Sequence, residues 1–294
     1  MTKIAVLGLG AMGLPMATRL ANDFDVLAYD VSDERRKLAE KAGLKVAADT
    51  PEAVEGADVA LVAVRNAAQL EALLYGPGGI VAALPKGAVV ILTSTVGIAA
   101  AESVAARLEK DGIGLVDAPV SGGEPGAIEG SLAFMVGGPE DVFNTYRPVL
   151  EVMGSSVTRV GDLGAGNTAK LANQAIVAVN IAVLGEALVL AKQAGVDPRG
   201  VVDAIRGGLA GSKVLEQKAE KMLADEFAPG FRINLHIKDL NNALETGHAV
   251  GASLPLTAAV REMMTAIAND GHLLHDHSSL LAFYERLAGT ALAD

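Results

Sequence analysis

The sequence predicts an α/β Rossmann-type N-terminal domain and an all-α C-terminal domain, joined by a long interdomain helix. Three observations predict this fold class. Short apolar runs alternate with helical segments over roughly the first 160 residues, a glycine-rich turn follows the first apolar run, and a long run of helix-forming residues begins at Asn167. Alternation of strand-length and helix-length segments is typical of βαβ units and a parallel sheet.

The apolar runs of the first half have the length of strands, and the segments between them have helical spacing. Helical spacing is clearest in residues 12–21 and 33–42. The expected strands are residues 4–7, 25–29, 59–64, 88–92 and 115–116, with two further runs at 132–136 and 156–160. We expect the last two runs to extend the sheet.

The pattern changes after the segment Gly161-Asp162-Leu163-Gly164. Residues 167–194 are almost all helix formers, and pairs of glycine and proline residues separate further helical segments beyond them. We therefore predict two domains. Residues 1–162 form the α/β domain, and residues 163–294 form the helical domain.

Composition excludes several classes of function. The chain of 294 residues has no cysteine, which excludes disulfides, thiolate nucleophiles and cysteine-bound zinc. A net charge of −11 without any basic run disfavours nucleic acid and anionic membranes as partners. No run approaches the roughly twenty apolar residues of a membrane span, and the first residues lack a signal-peptide pattern. We expect a cytoplasmic protein without membrane association.

The glycine-rich turn has the sequence Gly8-Leu9-Gly10-Ala11-Met12-Gly13 and lies between the first strand and the first helix. In a dinucleotide-binding turn, Gly8 permits the tight bend, Gly10 lets the backbone approach a pyrophosphate, and Gly13 permits close packing of helix on strand. The alternative is a turn that is glycine-rich for steric reasons alone. Asp30 ends the second strand, where an acidic side chain accepts hydrogen bonds from the adenosine ribose.

The residue after Asp30 bears on the choice of cofactor. It is Val31 and not an arginine, which favours NAD over NADP. Arg35 and Arg36 are near enough in the sequence to leave NADP possible. We therefore predict NAD as the cofactor, with NADP as the alternative.

Lys170 lies near the start of the long helix, whose continuation is apolar nearly all round and is therefore expected to be buried. Gly166, Lys170, Asn173 and Asn180 share one face and form a polar stripe. Hydride delivery to a carbonyl carbon forms an alkoxide, and a nearby ammonium both stabilises and protonates it. We predict that Lys170 is this general acid and that Asn173 binds the same oxygen or a substrate carboxylate. The alternative is a lysine on the solvent face.

Other dehydrogenase chemistries fit poorly. None of the four tyrosines is followed by lysine at the fourth position, which excludes the Tyr–Lys mechanism of short-chain dehydrogenases. The group His272, His275, Asp276 and His277 contains metal-binding residue types without a clear ligand scaffold. We predict no metal and interpret this group as a helix end or an interdomain contact.

Four blocks of the chain resemble the β-hydroxyacid dehydrogenase family along essentially the whole length. They are residues 8–17, 117–123, 166–173 and 238–240. The resemblance implies Lys170 as the catalytic lysine, Ser121, Gly122, Gly123 and Asn173 at the substrate, and Thr95 and Lys238 at the cofactor. It also implies that the helical domain binds substrate and forms homodimers or homotetramers.

The segment Ser121-Gly122-Gly123 also has a physical interpretation, because a hydroxyl and unobstructed backbone N–H groups form an anion cradle. An ordinary Gly-Gly turn is the alternative. Two segments on the cofactor side, Val64-Arg65 and Leu92-Thr93-Ser94-Thr95, differ from the residues usual in the family. Cofactor preference is therefore less determined than catalysis, and we place Val64 among the cofactor-binding residues.

Residues 205–212, 229–240 and 276–278 resemble the branch of the family that reduces tartronate semialdehyde (2-hydroxy-3-oxopropanoate) to glycerate. The expected activity is therefore nicotinamide-dependent reduction of a small, carboxylate-bearing aldehyde. The first alternative is a 3-hydroxyisobutyrate or other β-hydroxyacid dehydrogenase, or a reductase of another small semialdehyde. An alternative of another class is a non-catalytic NAD(P)-binding sensor that has kept the fold.

Overall fold

The computed structural model describes residues 2–293. The chain divides into two compact units, Met1–Lys170 and Leu171–Asp294. The first is an α/β unit and the second is helical, which confirms the predicted fold class. The division falls inside the long helix, shortly after the domain boundary that the sequence predicts at residues 162 and 163.

The first unit alternates strands with helices. Its elements are β1 (Lys3–Leu7), α1 (Gly13–Leu20), β2 (Asp25–Tyr29), α2 (Asp33–Lys41), β3 (Lys45–Val46), α3 (Thr50–Val54), β4 (Val59–Val62), α4 (Ala67–Tyr75), β5 (Val89–Leu92), α5 (Ile98–Lys110), β6 (Gly114–Asp117), β7 (Val120–Ser121), α6 (Gly123–Glu129), β8 (Leu132–Gly137), α7 (Glu140–Glu151) and β9 (Gly154–Gly161). The long helix α8 (Ala165–Gln193) follows.

These strands form one sheet in the order β3-β2-β1-β4-β5-β6-β8-β7, with β9 paired to β8. Strands β1 to β6 pair in parallel, β8 is antiparallel to β6 and β7, and β9 is parallel to β8. All seven expected strands are present. The sequence missed only β3 and β7, because two residues are too few to produce a periodic pattern.

The central strands are apolar without interruption because the sheet is covered on both faces. Every residue of β4 and β5 is buried. Leu61 and Ile91 belong to one hydrophobic cluster, and Val62 and Leu92 belong to the other. Continuous apolar runs are typical of such doubly covered parallel strands. Because β4 and β5 are parallel, the loops that follow them begin at the same edge of the sheet.

The second unit consists of the rest of α8 and shorter helices packed around a third hydrophobic cluster. They are α9 (Pro198–Ile205), α10 (Lys213–Leu223), α11 (Ile233–Val250), α12 (Pro255–Ile267), a kinked turn (Ala268–His272), a 3-10 helix (His277–Leu280) and α13 (Leu281–Ala288). The side chains of Asp197 and Ser212 cap α9 and α10 by accepting backbone N–H groups. Within residues 2–293, no strand follows β9.

Helix α8 departs from two sequence expectations. It is not buried all round, since Ile176, Val183 and Leu190 are 62%, 53% and 70% exposed. It is also long and apolar enough to cross a membrane by length and composition, with a mean hydropathy of 2.0 in its most apolar stretch, so the expectation of no such run was wrong. Half of that stretch is buried inside the protein, as is typical of a core helix in a soluble protein.

Candidate active site

The three glycines of the turn after β1 differ in what surrounds them. Gly8 has a φ of +98°, and a β-carbon there would lie 2.4 Å from the carbonyl oxygen of Ala63. A β-carbon on Gly13 would lie 1.8 Å from the carbonyl oxygen of Gly8. A β-carbon on Gly10 would meet no atom within 4 Å. Backbone packing therefore explains Gly8 and Gly13, whereas the backbone of Gly10 faces open space.

Asp30, directly after β2, is bonded to the glycine turn. Its Oδ2 accepts a hydrogen bond from the backbone N–H of Leu9 at 2.7 Å, and its Oδ1 accepts one from the N–H of Ser32 at 2.8 Å. Each carboxylate oxygen can accept a further hydrogen bond. Asp30 thus fixes the turn against the end of β2, a role that the sequence motif did not indicate.

The surroundings of Asp30 bear on a phosphate at the ribose 2′ position. Val31 is 85% exposed. Arg36 donates to the carbonyl oxygen of Asp30 at 2.5 Å and forms an ion pair with Asp33. Its guanidinium also lies 5.3 Å from the centre of the Tyr29 ring. Arg36 is therefore already engaged by protein groups.

The loops after β4 and β5 begin at the same edge of the sheet as the glycine turn. Val64 is half-buried, and Thr95 is buried. The hydroxyl of Thr93 donates to the carbonyl oxygen of Val62 at 3.0 Å and joins the two loops. The hydroxyl of Ser94 is buried and has no hydrogen-bond partner among the described residues. Ser94 thus leaves one buried polar atom available near this edge.

Asp117, the last residue of β6, anchors the start of α8. It is fully buried and accepts hydrogen bonds from the N–H of Gly164 at 2.9 Å, the N–H of Asn167 at 2.6 Å and the Asn167 side chain at 3.0 Å. Burial raises the pKa of Asp117 above its ordinary value, and the donors only partly offset this effect. The Oδ1 atom of Asn167 accepts from the N–H of Val96 at 3.2 Å. The first turn of α8 is therefore bonded to the end of β6 and to the loop that follows β5.

Gly166 brings α8 into direct contact with the sheet. A β-carbon there would lie 2.4 Å from the carbonyl oxygen of Met135 and 2.5 Å from that of Asp117. Lys170 follows one helical turn later and is only 8% exposed. Lys170 is therefore not on the solvent face, which was the alternative interpretation.

The predicted anion cradle lies at the junction of β7 and α6. Ser121 ends β7 and is half-buried. Gly122 and Gly123 have φ values of +133° and +63°, a backbone conformation that side chains disfavour. The conformation of the turn therefore requires both glycines, whether or not the turn binds an anion.

Two predicted residues of the second unit are connected by two that the sequence analysis missed. Asn173 donates to the side-chain oxygen of Gln174 at 2.9 Å. Gln174 donates to Oδ2 of Asp239 at 2.6 Å, and Lys238 is paired with Oδ1 of Asp239 at 2.8 Å. The adjacency of Gln174 to Asn173, and of Asp239 to Lys238, was the only sequence signal for this connection.

Asp276 caps the 3-10 helix, as expected of a helix end, but the sequence analysis missed the buried polar cluster around it. Asp276 forms an ion pair with Lys218 at 2.9 Å and accepts from the N–H groups of Gly230 and Phe231 at 3.0 and 3.1 Å. Burial alone would raise the pKa of Asp276, but the charges of His277 and Lys218 and the hydrogen bond from Ser278 hold it well below its ordinary value.

The predicted group of three histidines and Asp276 is split in the structure. His277 is buried next to Asp276, whereas His272 and His275 contact each other in an exposed pair, with 3.0 Å between their Nδ1 atoms. Partial burial of His272, and then the charge of His275, lower the pKa of His272 below its ordinary value. Within residues 2–293, no group of three or more His, Cys, Asp or Glu residues is arranged to bind a metal.

Comparison with known proteins identifies the family. Residues 3–161 match the family described as the NAD binding domain of 6-phosphogluconate dehydrogenase. Residues 164–284 match the family described as NAD-binding of NADP-dependent 3-hydroxyisobutyrate dehydrogenase. The chain belongs to the β-hydroxyacid dehydrogenase family. It is therefore an NAD(P)-dependent oxidoreductase.

Relatives within the β-hydroxyacid dehydrogenase family match along the whole chain. A 2-hydroxy-3-oxopropionate reductase of Escherichia coli is 40% identical over 99% of this chain and 100% of the relative. A 2-(hydroxymethyl)glutarate dehydrogenase of Eubacterium barkeri is 34% identical over 99% of this chain and 97% of the relative. A solved structure of 3-hydroxyisobutyrate dehydrogenase from Mycobacterium tuberculosis with L-serine has a TM-score of 0.88 and 32% identity, covering 97% of this chain and 99% of that one.

The first unit has features that fit the nicotinamide cofactor of the family. The backbone of Gly10 is open to a ligand. Asp30 has spare acceptor capacity beside it, and the Ser94 hydroxyl near the ends of β4 and β5 lacks a partner among the described residues. In doubly wound sheets, ligands bind at the carboxyl ends of the strands, where these groups lie.

Proposed function

We propose that this enzyme reduces tartronate semialdehyde to glycerate with NADH, and that Lys170 donates the proton. One observation carries the mechanism: Lys170 is buried one turn after a helix start that is bonded to the end of β6 and to the loop after β5. The glycine turn belongs to the same unit. The 40% identity to a 2-hydroxy-3-oxopropionate reductase supports the choice of substrate.

The residues that hold the cofactor come mainly from the edge of the sheet. We assign to it Gly8, Leu9, Gly10, Ala11, Met12, Gly13, Asp30, Val64, Thr95 and Lys238. Backbone N–H groups of the turn and the start of α1 suit a pyrophosphate, because they carry partial positive charge. Asp30 accepts from the ribose hydroxyls, and Val31, being exposed and uncharged, offers no cation for a 2′-phosphate. These features favour NAD, and NADP is the alternative.

The chemical step needs a hydride and a proton. When bound, the nicotinamide supplies the hydride to the aldehyde carbon. Lys170 donates a proton from Nζ to the aldehyde oxygen, which becomes the new hydroxyl group. Because Lys170 is buried, its charge is poorly screened by water and stabilises the developing alkoxide strongly. In the oxidative direction, the neutral amine of Lys170 accepts the hydroxyl proton.

The substrate carboxylate is bound by the turn after β7. The hydroxyl of Ser121 and the backbone N–H groups of Gly122 and Gly123 are neutral donors, which suit a carboxylate without needing a cation. Asn173, held by Gln174, contributes an amide from α8. The substrate class is therefore a small aldehyde or hydroxy acid with a carboxylate near the reacting carbon.

The test is a panel of kcat/KM values with NADH and NADPH. We expect the highest value for tartronate semialdehyde with NADH. The second candidate function uses the same chemistry on another substrate: a 3-hydroxyisobutyrate dehydrogenase, another β-hydroxyacid dehydrogenase or a reductase of a four-carbon semialdehyde. The names of two relatives support this candidate. If neither reduced cofactor is consumed with tartronate semialdehyde while another member of the panel turns over, the proposed substrate is wrong.

A non-catalytic NAD(P)-binding sensor is the alternative from another class. It predicts normal NADH binding with no turnover of any semialdehyde or hydroxy acid in the panel. The buried Lys170 argues against it, because burying a lysine is costly without a purpose. Binding and turnover measured on the same preparation separate the sensor from the enzyme.

We further propose that the enzyme is a cytoplasmic homodimer or homotetramer. Ile176, Val183 and Leu190 support an oligomer, because they form an exposed apolar row at helical spacing on α8. Light scattering after size-exclusion chromatography is expected to give two or four times the mass of one chain. A monomer at micromolar concentration contradicts this proposal.

A further inference from the structure

A pair of buried histidines in the second unit is in contact with helix α8. The Nδ1 atoms of His236 and His277 lie 3.0 Å apart. The Nε2 atom of His236 lies 3.1 Å from the backbone carbonyl oxygen of Gln174. Both rings are buried, and the ring of Phe231 contacts each of them edge-on. Neither histidine takes part in the reaction proposed above.

The chemistry of the acceptor fixes where the protons lie. A carbonyl oxygen only accepts hydrogen bonds, so Nε2 of His236 carries a hydrogen. Nδ1 of a neutral His236 is then bare, and Nδ1 of His277 must donate to it. A further proton on Nδ1 of His236 would place two N–H groups face to face. The contact between the rings therefore requires a single proton between the two facing nitrogens.

Gln174 links this pair to the proposed substrate site. Its side chain accepts from Asn173 at 2.9 Å and donates to Asp239 at 2.6 Å. The backbone carbonyl of the same residue faces His236. Gln174 is thus held from α11 at two points, and it orients the amide of Asn173.

Charged groups surround the pair on several elements. Asp276, at the start of the 3-10 helix, has its Oδ1 atom 4.0 Å from Nε2 of His277, and Lys218 of α10 is paired with the same carboxylate at 2.9 Å. On α11, Asp239 is paired with Lys238. Each carboxylate near the pair is thus already matched by a lysine. Asp276 still faces Nε2 of His277, and a proton there leaves the contact between the two Nδ1 atoms intact.

We propose that His236 and His277 are positioning residues that hold Gln174, and through it the Asn173 amide, until a proton on Nδ1 of His236 breaks the contact between the two rings. The proposal rests on the assignment of Asn173 to the substrate site. Loss of the contact weakens binding of the substrate rather than proton transfer. KM for the aldehyde should therefore rise in acid, whereas NADH affinity should change little.

Three variants test this role by kinetics between pH 5 and 8. His236→Leu removes the donor to Gln174, and we expect KM for tartronate semialdehyde to rise about tenfold with a smaller change in kcat. His236→Gln keeps an amide donor but does not titrate, so it should restore most of the binding and flatten the acid rise in KM. His275→Gln alters the separate exposed pair and should behave like the wild type. A wild-type KM that is constant over this range contradicts the proposal.

Nitrogen-15 NMR of the histidine side chains tests the pair without any substrate. At pH 7.5 we expect His236 to carry a hydrogen on Nε2 and none on Nδ1, and His277 to carry one on Nδ1. His236 protonated on Nδ1 and bare on Nε2 would overturn the proposal. This readout applies even if a variant fails to fold. If the wild-type protein reduces no semialdehyde, the proposed function fails while the spectrum still decides the state of the pair.

Discussion

Helix α8 is held at two places by polar clusters that are built differently. At its start, Asp117 accepts hydrogen bonds only from neutral N–H groups, and burial raises its pKa. Farther along, Gln174 contacts His236, which belongs to the cluster around Asp276. Burial there is outweighed by the charges of His277 and Lys218, which hold the pKa of Asp276 well below its ordinary value.

The difference teaches that saturating a buried carboxylate with hydrogen bonds does not determine its ionisation. Neutral donors satisfy the geometry of Asp117, but they do not offset the cost of burying its charge. The nearby charges of His277 and Lys218 do so for Asp276. We call the clusters at Asp117 and Asp276 the two anchors of α8, the helix that carries Lys170. Their contributions to the free energy of unfolding should therefore change with pH in opposite directions.

The largest effect is expected for the residue between the anchors. Lys170→Ala should lower kcat by roughly 10³-fold to 10⁴-fold, because the proton donor is lost. The dissociation constant for NADH, measured by fluorescence titration, should stay near the wild-type value. Lys170→Arg is the matched control, since it keeps the charge but holds its proton too tightly to donate it. Activity of Lys170→Ala close to that of the wild type would mean that another group is the acid.

Asp276→Asn should have the largest effect on stability. It leaves Lys218 buried without its carboxylate, and we expect the free energy of unfolding at pH 7 to fall by about 3 kcal/mol in urea denaturation. The double variant Asp276→Asn/Lys218→Met should recover part of this loss, because it removes the uncompensated charge. A single variant as stable as the wild type would show that the ion pair does not stabilise the second unit.

The pH dependence sharpens this test. The folded-state pKa of Asp276 lies below the ordinary value of 3.8, so its stabilisation is present above that pH and is lost as the pH falls below about 4. The gap in unfolding free energy between the wild type and Asp276→Asn should therefore shrink in acid. A gap that stays constant below pH 4 would contradict the lowered pKa.

Asp117→Asn should be milder at pH 7, with a loss of about 2 kcal/mol, because one of the accepting oxygens becomes a donor that faces N–H groups. Its pH response should have the opposite sign. As the pH falls, the folded state takes up a proton on Asp117 before the unfolded state does. The free energy of unfolding of the wild type should therefore rise relative to that of the variant as the pH falls toward 3.8. If the difference in unfolding free energy from the wild type changed with pH in the same way for Asp117→Asn and Asp276→Asn, the contrast between the two anchors would be wrong.

Gly10→Ala should have the smallest effect. A β-carbon at Gly10 meets no protein atom, so the free energy of unfolding should stay within about 0.5 kcal/mol of the wild type. The added methyl group lies where the backbone should approach the pyrophosphate, and the dissociation constant for NADH should rise about tenfold. Unchanged NADH affinity would place the cofactor elsewhere.

Much of the first unit could be predicted because its signals are local. The apolar runs predict the strands, and the glycine turn together with Asp30 predicts the edge of the sheet at which the cofactor is proposed to bind. The second anchor could not be predicted, because His236 and His277 are 41 positions apart and no local pattern in the sequence pairs them. The exposed face of α8 was missed because composition alone does not show which side of an apolar helix is covered.

The most direct test of the central claim is a crystal structure of the enzyme with NADH and glycerate, a pair that does not react. We predict that Nζ of Lys170 lies within about 3 Å of the glycerate hydroxyl next to the nicotinamide ring. A Lys170 side chain that points into bulk solvent, away from both ligands, would contradict the account.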